Sequence, residues 1–305
     1  MLYPWIVFNF FALGMLVLDL RVFRRPGPVR SRDALIRSAM WVCLAAIFAG
    51  LVFFWQGRQV AIEFVTGYVL ELSLSVDNLF IFLLVFRYFA VPEEYQHRVL
   101  FWGIIGALAM RGGFILVGVG LIQRFHWIFY GLGALLVYSG IKLGFAGEHQ
   151  VDPSKNPAVK AVRRLIPVTS DYRGGRFFVR EWEGKRGLYA TPLLVVLVVI
   201  ESTDLLFAVD SIPAVLAITL NAFVVYASNV FAIMGLRSMF FAVSGLMKVF
   251  RFLHIGLAVI LVLVGTEMIL ANYLKVPTVV MLGTIAGVIG TSILVSVVAP
   301  KEKPA

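Results

Sequence analysis

Cysteine is almost missing from this chain, and charge is scarce. One thiol, Cys43, among 305 residues leaves no partner for an internal disulfide and no thiolate cluster for a soft metal. Only 14% of the residues are Asp, Glu, Lys or Arg, against about 25% in an ordinary soluble domain. The four histidines, His97, His126, His149 and His254, all stand near the ends of apolar runs, so none marks a site inside one. No basic residue precedes the first apolar run. Arg21 follows it, the reverse of the order in a cleaved leader, so that run is expected to be retained.

What is plentiful is apolar: 60% of the chain, in runs of about 20 residues that recur along nearly its whole length, each long enough to cross roughly 30 Å of hydrocarbon. The expectation is an all-α polytopic membrane protein with nine transmembrane helices, about 4–22, 38–55, 61–86, 99–122, 127–146, 188–218, 223–246, 254–273 and 278–298. The net charge of +10 then speaks of topology and not of nucleic acid. The segments 21–37, 87–98, 147–187, 247–253 and 299–305 hold 21 Lys and Arg, whereas the opposite connections hold 3, namely Arg58, Arg124 and Lys275. By the positive-inside rule the N-terminus is outside and the C-terminus cytoplasmic.

A single transmembrane domain of 1–305 follows, divided into peripheral helices (1–58), two repeats (59–146 and 188–275), a basic cytoplasmic loop (147–187) and a last helix with a short tail (276–305). In the loop, Pro157–Ile166 sets Val159, Val162 and Ile166 opposite Lys160, Arg163 and Arg164, a pattern that suits a short helix on an anionic membrane surface, or a solvated basic tether. Residues 176–189, with Gly184 between two apolar-rich stretches, read as a small hairpin.

The repeats rest on a shared pattern. Glu71-Leu-Ser-Leu-Ser-Val-Asp77-Asn78 in the third span matches Asp204-Leu-Leu-Phe-Ala-Val-Asp210-Ser211 in the sixth. Met110-Arg111 then matches Leu236-Arg237, and Gly131, Gly140 and Lys142 match Gly256, Gly265 and Glu267. Spans three crossings apart run in opposite directions, so spans 3–5 against 6–8 form an inverted-topology 3+3 repeat, the symmetry of many secondary transporters.

These repeats place charge deep in the membrane. Glu71 and Asp77 lie near the middle of one span, and Glu201, Asp204 and Asp210 near the middle of the other; a charge at that depth costs at least about 2.5–3.5 kcal/mol. Glu71, Ser75 and Asn78 share a helical face, as do Asp204, Ala208 and Ser211, with Glu201 one turn earlier on the second. Asp77 and Asp210 sit about 120° round the helix, and Pro213 offers a distortion that would bring Asp210 in and free a backbone oxygen. Arg111 and Arg237 offset two of the five carboxylates. The remainder must take up protons or bind a cation.

Carboxylate, amide and hydroxyl oxygens are hard ligands, suited to Mg²⁺, Ca²⁺ or Mn²⁺. Structural alternatives remain open for Asp19, which can pair with Arg21 or Arg24, and for Glu267, which can pair with Lys142. No enzyme signature accompanies the acids: Val precedes both Asp77 and Asp210, unlike the motifs of intramembrane aspartyl proteases.

Glu-Leu-Ser-Leu-Ser-Val-Asp-Asn at 71–78, Glu-Ser-Thr-Asp-Leu-Leu-Phe-Ala-Val-Asp-Ser-Ile-Pro-Ala at 201–214 and Ser-Asn-Val-Phe-Ala-Ile-Met-Gly-Leu-Arg at 228–237 closely resemble the TerC family of integral membrane proteins. That resemblance implies a LysE-like exporter built from paired three-helix repeats, associated with Mn²⁺ efflux and by name with tellurite resistance. It implies that Glu71, Asp77, Asn78, Asp204, Asp210 and Ser211 form the ion site and that the stretch from Asn229 to Arg237 supports it. Glu267 departs from the family's expected Lys. The reading is a metal exporter of the bacterial inner membrane, working by proton antiport and holding no cofactor, with the lipid bilayer as its surroundings. The alternative is a non-transporting scaffold of a stress-response complex, with partners, or a second copy, meeting the cytoplasmic loop.

Overall fold

Apolar backbone in hydrocarbon must satisfy every N–H and C=O internally, which leaves the helix as the default for such runs. The computed structural model describes residues 3–22, 31–125, 127–145, 157–182, 184–244, 252–273 and 276–298. The side chains of Asp19, Arg21, Asp77 and Arg237, and residues His126 and His149, lie outside that description, as does Arg24. The helices are α1 (Tyr3–Val22), α2 (Ser31–Gln56), α3 (Arg58–Tyr88), α4 (Glu93–Arg124), α5 (Trp127–Phe145), α6 (Pro157–Leu165), α7 (Pro192–Ile218), α8 (Ala222–Ser244), α9 (Leu253–Leu270) and α10 (Thr278–Val298). Seven of them, α2 to α5, α7, α9 and α10, are long and apolar enough to cross a membrane, while the apolar parts of α1 (Tyr3–Leu18) and α8 (Ala222–Leu236) are shorter. The chain is an integral, multi-pass, mostly helical membrane protein.

Local chemistry sets the helix ends. Gly57, at φ 92°, turns α2 into α3 with a single residue between them, a conformation that a side chain would oppose. Pro92 precedes α4, and Glu93 and Glu94 occupy its first turn, where the helix dipole favours negative charge. Pro192 opens α7 at a position that needs no N–H.

The sixth apolar stretch was expected from residue 188, but residues 185–190 form a strand and the helix begins at Pro192. Strand β1 (Phe178–Trp182) pairs antiparallel with β2 (Lys185–Ala190), a hairpin in which Trp182 meets Tyr189 edge-on at 5.7 Å. The amphipathic helix α6 forms where the sequence places it, with a different partner. Val159 is buried and Val162 packs on the protein core, so the apolar face of α6 lies on the protein beside α7 and not on a membrane surface. The loop that leads into the hairpin is clasped to the α3–α4 turn and to α4. Tyr172 donates to the Phe89 carbonyl at 2.5 Å, and Arg98 donates to that of Gly175 at 2.5 Å.

Helices α3, α4 and α5 pack across α7, α8 and α9: α3 on α8, α4 on α7, and α5 on α9, with α3–α7 and α4–α8 crossings between them. Helices α1 and α2 lie outside α3 and α8, where Phe48 stacks 5.0 Å from Phe231 and 5.1 Å from Phe64. Helix α10 covers α9 and α3.

The α5–α9 contact is the closest backbone approach. A β-carbon at Gly265 would stand 2.6 Å from the Gly133 carbonyl oxygen, one at Gly133 would stand 2.9 Å from that of Gly265, and one at Gly140 would stand 2.7 Å from that of Ala258. Small residues let helices approach this closely in lipid. Gly265→Ala is therefore expected to destabilise the protein by about 1–3 kcal/mol, the usual cost of overpacking, despite alanine's better helix propensity. Gly283→Ala, with nothing within 4 Å, is expected to be neutral or stabilising. Thermal unfolding in detergent compares the two.

Candidate functional site

On α3 the i, i+4, i+7 spacing turns Glu71, Ser75 and Asn78 to the protein interior, and on α7 it does the same for Asp204, Ala208 and Ser211; all six are buried. Helix α4 delivers Arg111, which is 1% exposed, and α8 delivers Asn229. The guanidinium joins three of them, Glu71, Asp204 and Asn229. Its Nη1 donates to Glu71 Oε2 at 2.5 Å and to Asn229 Oδ1 at 3.0 Å, while Nη2 and Nε grip the two oxygens of Asp204 at 3.2 and 3.3 Å. Bidentate forks of this kind suit arginine's planar geometry.

On the same faces of α3 and α7, and on Asn229, several buried polar atoms have no hydrogen-bond partner: Glu71 Oε1, Ser75 Oγ, Asn78 Nδ2, Ser211 Oγ and Asn229 Nδ2. Each such atom costs roughly 1–3 kcal/mol if it stays unmatched, so five of them around two carboxylates describe a surface suited to a polar or charged guest. Glu71, Asp204 and Arg111 sum to one negative charge when all are ionised. Asp204 also lines a cavity of about 20 Å³ with Phe82, Leu100, Ile104 and Ile200. That is room for one water; an ion with six waters of roughly 30 Å³ each does not enter without movement of the helices.

The other expected site residues lie elsewhere. Asp210 does not join the knot: α7 runs unbroken through Pro213, and the carboxylate, a third of a turn away from the Asp204 face, accepts from Ser139 Oγ of α5 at 2.7 Å. Lys142 is the cation whose field acts on Asp210, so the expected Lys142–Glu267 pair is corrected. Antiparallel packing of Gly140 on Ala258 sets Lys142 and Glu267 roughly 16 Å apart along the axes at 1.5 Å per residue, and Glu267 accepts from the Val276 backbone instead. Glu201 is half-buried, with Oε2 unpartnered, and its carboxylate lies where a β-carbon of Gly106 would be. Asp77 and Arg237 belong to α3 and α8, and their side chains lie outside the description. Among the described residues no three His, Cys, Asp or Glu side chains group as a metal cage.

The family model for the integral membrane protein TerC family matches residues 56–304, from the end of α2 to the tail. The chain belongs to the TerC family. Among its TerC relatives, the uncharacterised membrane protein STKORF319 of Myxococcus xanthus is 44% identical over 301 residues, covering 98% of this chain and 93% of that protein. A Salmonella typhi protein, provisionally named membrane-bound redox modulator Alx, is 40% identical over 304 residues, covering 96% and 93%. The Escherichia coli K12 protein of the same name is 40% identical over 294 residues, covering 92% and 90%. No solved structure matches the chain.

Two contributors were not read from the sequence, Ser139 and the pair Gly103 and Gly106. The glycines had a signal, a G-x-x-G step on a helix that faces an acid. Gly106→Ala is expected to destabilise this TerC protein by about 1–3 kcal/mol by displacing the Glu201 carboxylate. In a Glu201→Ala background the same change is expected to cost much less. A double-mutant cycle of unfolding temperatures reads the coupling; equal costs in both backgrounds would remove the Gly106–Glu201 contact as their cause.

Proposed function

We propose that this protein is a secondary transporter that exports a hard divalent cation by proton antiport, from the cytoplasm across a bacterial inner membrane. The observation that carries the reading is the knot of Glu71 and Asp204 with its ring of unmatched oxygens and amides, held between membrane helices by Arg111. Oxygen ligands select Mg²⁺, Ca²⁺ or Mn²⁺ over zinc or copper, and membership of the TerC family favours Mn²⁺. Glu71, Asn78, Asp204 and Ser211 are the proposed ligands, supported by Ser75 and Asn229. Asp77 and Asp210 are proposed as charges on the path to them. We read the chain as a carrier and not an enzyme.

The inverted repeat belongs to the same proposal. Residues 133 and 140 of α5 correspond to 258 and 265 of α9 in the repeat alignment, and the close contacts run from 133 to 265 and from 140 to 258. Such reciprocity is what a two-fold axis in the membrane plane produces. With nine crossings, an outside N-terminus and a cytoplasmic loop at 147–187, one repeat rocking against the other would expose the site to each side in turn. The relatives' provisional redox name does not point to dithiol chemistry here, because Cys43 is the chain's only cysteine. The docked hairpin and its exposed arginines keep the scaffold reading in play, and transport separates the two.

Inside-out vesicles carrying the protein are expected to accumulate Mn²⁺ when their interior is acidic, and to discharge that gradient as they do so. Glu71→Gln, Asp77→Asn, Asp204→Asn and Asp210→Asn are each expected to lower uptake at least tenfold at equal expression. Mn²⁺ should compete well above Zn²⁺. Uptake that ignores the pH gradient would leave a channel or uniporter, and no uptake at all would favour the scaffold.

Topology is tested separately, with single cysteines at 58, 160 and 303 in a Cys43→Ser background. Positions 160 and 303 are expected to label only from the cytoplasmic side. Labelling of 160 from outside would end both the span count and the inverted repeat.

A further inference from the structure

We propose that Arg111 is a tethered competitor of the transported cation, seated on the oxygens the ion needs and displaced from them each time the ion binds. This rests on the transport reading above and concerns how that site is emptied.

The acceptors decide it. Glu71 Oε2, both oxygens of Asp204 and Asn229 Oδ1 already receive hydrogen bonds from Arg111. A hard divalent cation wants about six oxygens, with carboxylates foremost. The oxygens without a partner are Glu71 Oε1, Ser75 Oγ, Ser211 Oγ and, one turn before Asp204, Glu201 Oε2, so the two acids that Arg111 holds keep only one free oxygen between them. An ion cannot take both acids while the guanidinium holds them.

Arginine does not leave by losing its proton, since a guanidinium stays protonated in proteins. It has to move as a cation and be received by an anion. Glu201 is placed to receive it. The unpartnered Oε2 belongs to a side chain one turn before Asp204 on α7, laid against α4 at Gly106. Gly106 stands about 7.5 Å along the helix axis from Arg111, on the N-terminal side, the direction in which helical side chains lean. Arg111 therefore exchanges between Glu71 with Asp204 and Glu201 as the ion enters and leaves.

The experiment measures Mn²⁺ binding by equilibrium dialysis and Mn²⁺ flux in proteoliposomes, on the full-length protein. Arg111→Gln is expected to bind Mn²⁺ at least tenfold more tightly than wild type while net flux falls at least tenfold, because nothing then expels the ion. Arg111→Lys keeps the charge but not the fork; it is expected to bind Mn²⁺ several-fold more tightly and to retain part of the flux. A merely structural arginine would weaken binding in both variants. Unchanged or weaker binding in Arg111→Gln, with a wild-type elution profile, overturns the proposal. If that variant does not fold, unchanged or weaker binding in Arg111→Lys does so. Wild-type protein that binds no Mn²⁺ overturns the transport reading and this inference together, whereas wild-type binding that neither variant tightens overturns this inference alone.

Discussion

A guanidinium cannot rest in hydrocarbon without anions, and this constraint organises the centre of the molecule. Arg111 enters on α4, its two carboxylates come from α3 and α7, and its amide partner comes from α8. Four helices must therefore meet at one level, with the side chains that join them almost wholly buried. Removing one member of such a buried set strands the others, at about 3–5 kcal/mol, so the knot is structural as well as chemical. The packing around it follows. Small residues draw α5 against α9, glycines on α4 admit the Glu201 carboxylate, and phenylalanines fill the space between α1, α2, α3 and α8.

Much of this was legible along the chain because helical periodicity is regular. The face of Glu71, Ser75 and Asn78 and that of Asp204, Ala208 and Ser211 follow from spacing alone, and both are buried as drawn. Asp210 was harder to place. Six residues from Asp204, it lies off that face, and the proline expected to bring it round leaves α7 continuous. Its partner Ser139 sits 71 positions away, a distance no local pattern spans. The Lys142–Glu267 pair failed for a related reason. Matching positions in antiparallel helices stand at opposite ends of the contact. For α6 the sequence showed an apolar face but not what covers it.

The chemistry is less symmetric than the backbone. On the proposed repeat, Glu201 corresponds to Tyr68, Ser139 to Val264 and Lys142 to Glu267. Tyr68 is buried and stacked on Phe64, with rings 7° apart, so the position that carries an acid on α7 is aromatic filler on α3. Two halves that pack alike can rock against each other about a common axis, because the packing given up on one side is replaced by its counterpart on the other. Two halves that differ in charge respond differently to an ion or a proton between them.

On the transport reading proposed above, that difference sets apart the two forms of such a motion. If the halves were chemically identical, the inward and outward forms would be equivalent and neither membrane face would be distinguished by the protein itself. Glu201 on one half only, and Asp210 with Ser139 as its partner on one half only, make the two forms unequal. The ties at the two ends of the bundle add to this inequality. Tyr172 and Arg98 join the loop before the hairpin to the α3–α4 turn and to α4, whereas at the other end Asn272, after α9, donates to Tyr130 of α5 and Gln59 of α3 donates to Thr278 of α10, so the two ends are tied through different partners. Opening either end has to break or carry its own set of bonds, and the two sets differ. On the transport reading proposed above, the empty and the loaded carrier then favour the two forms to different degrees, because only the loaded one carries the ion's charge between the unequal halves.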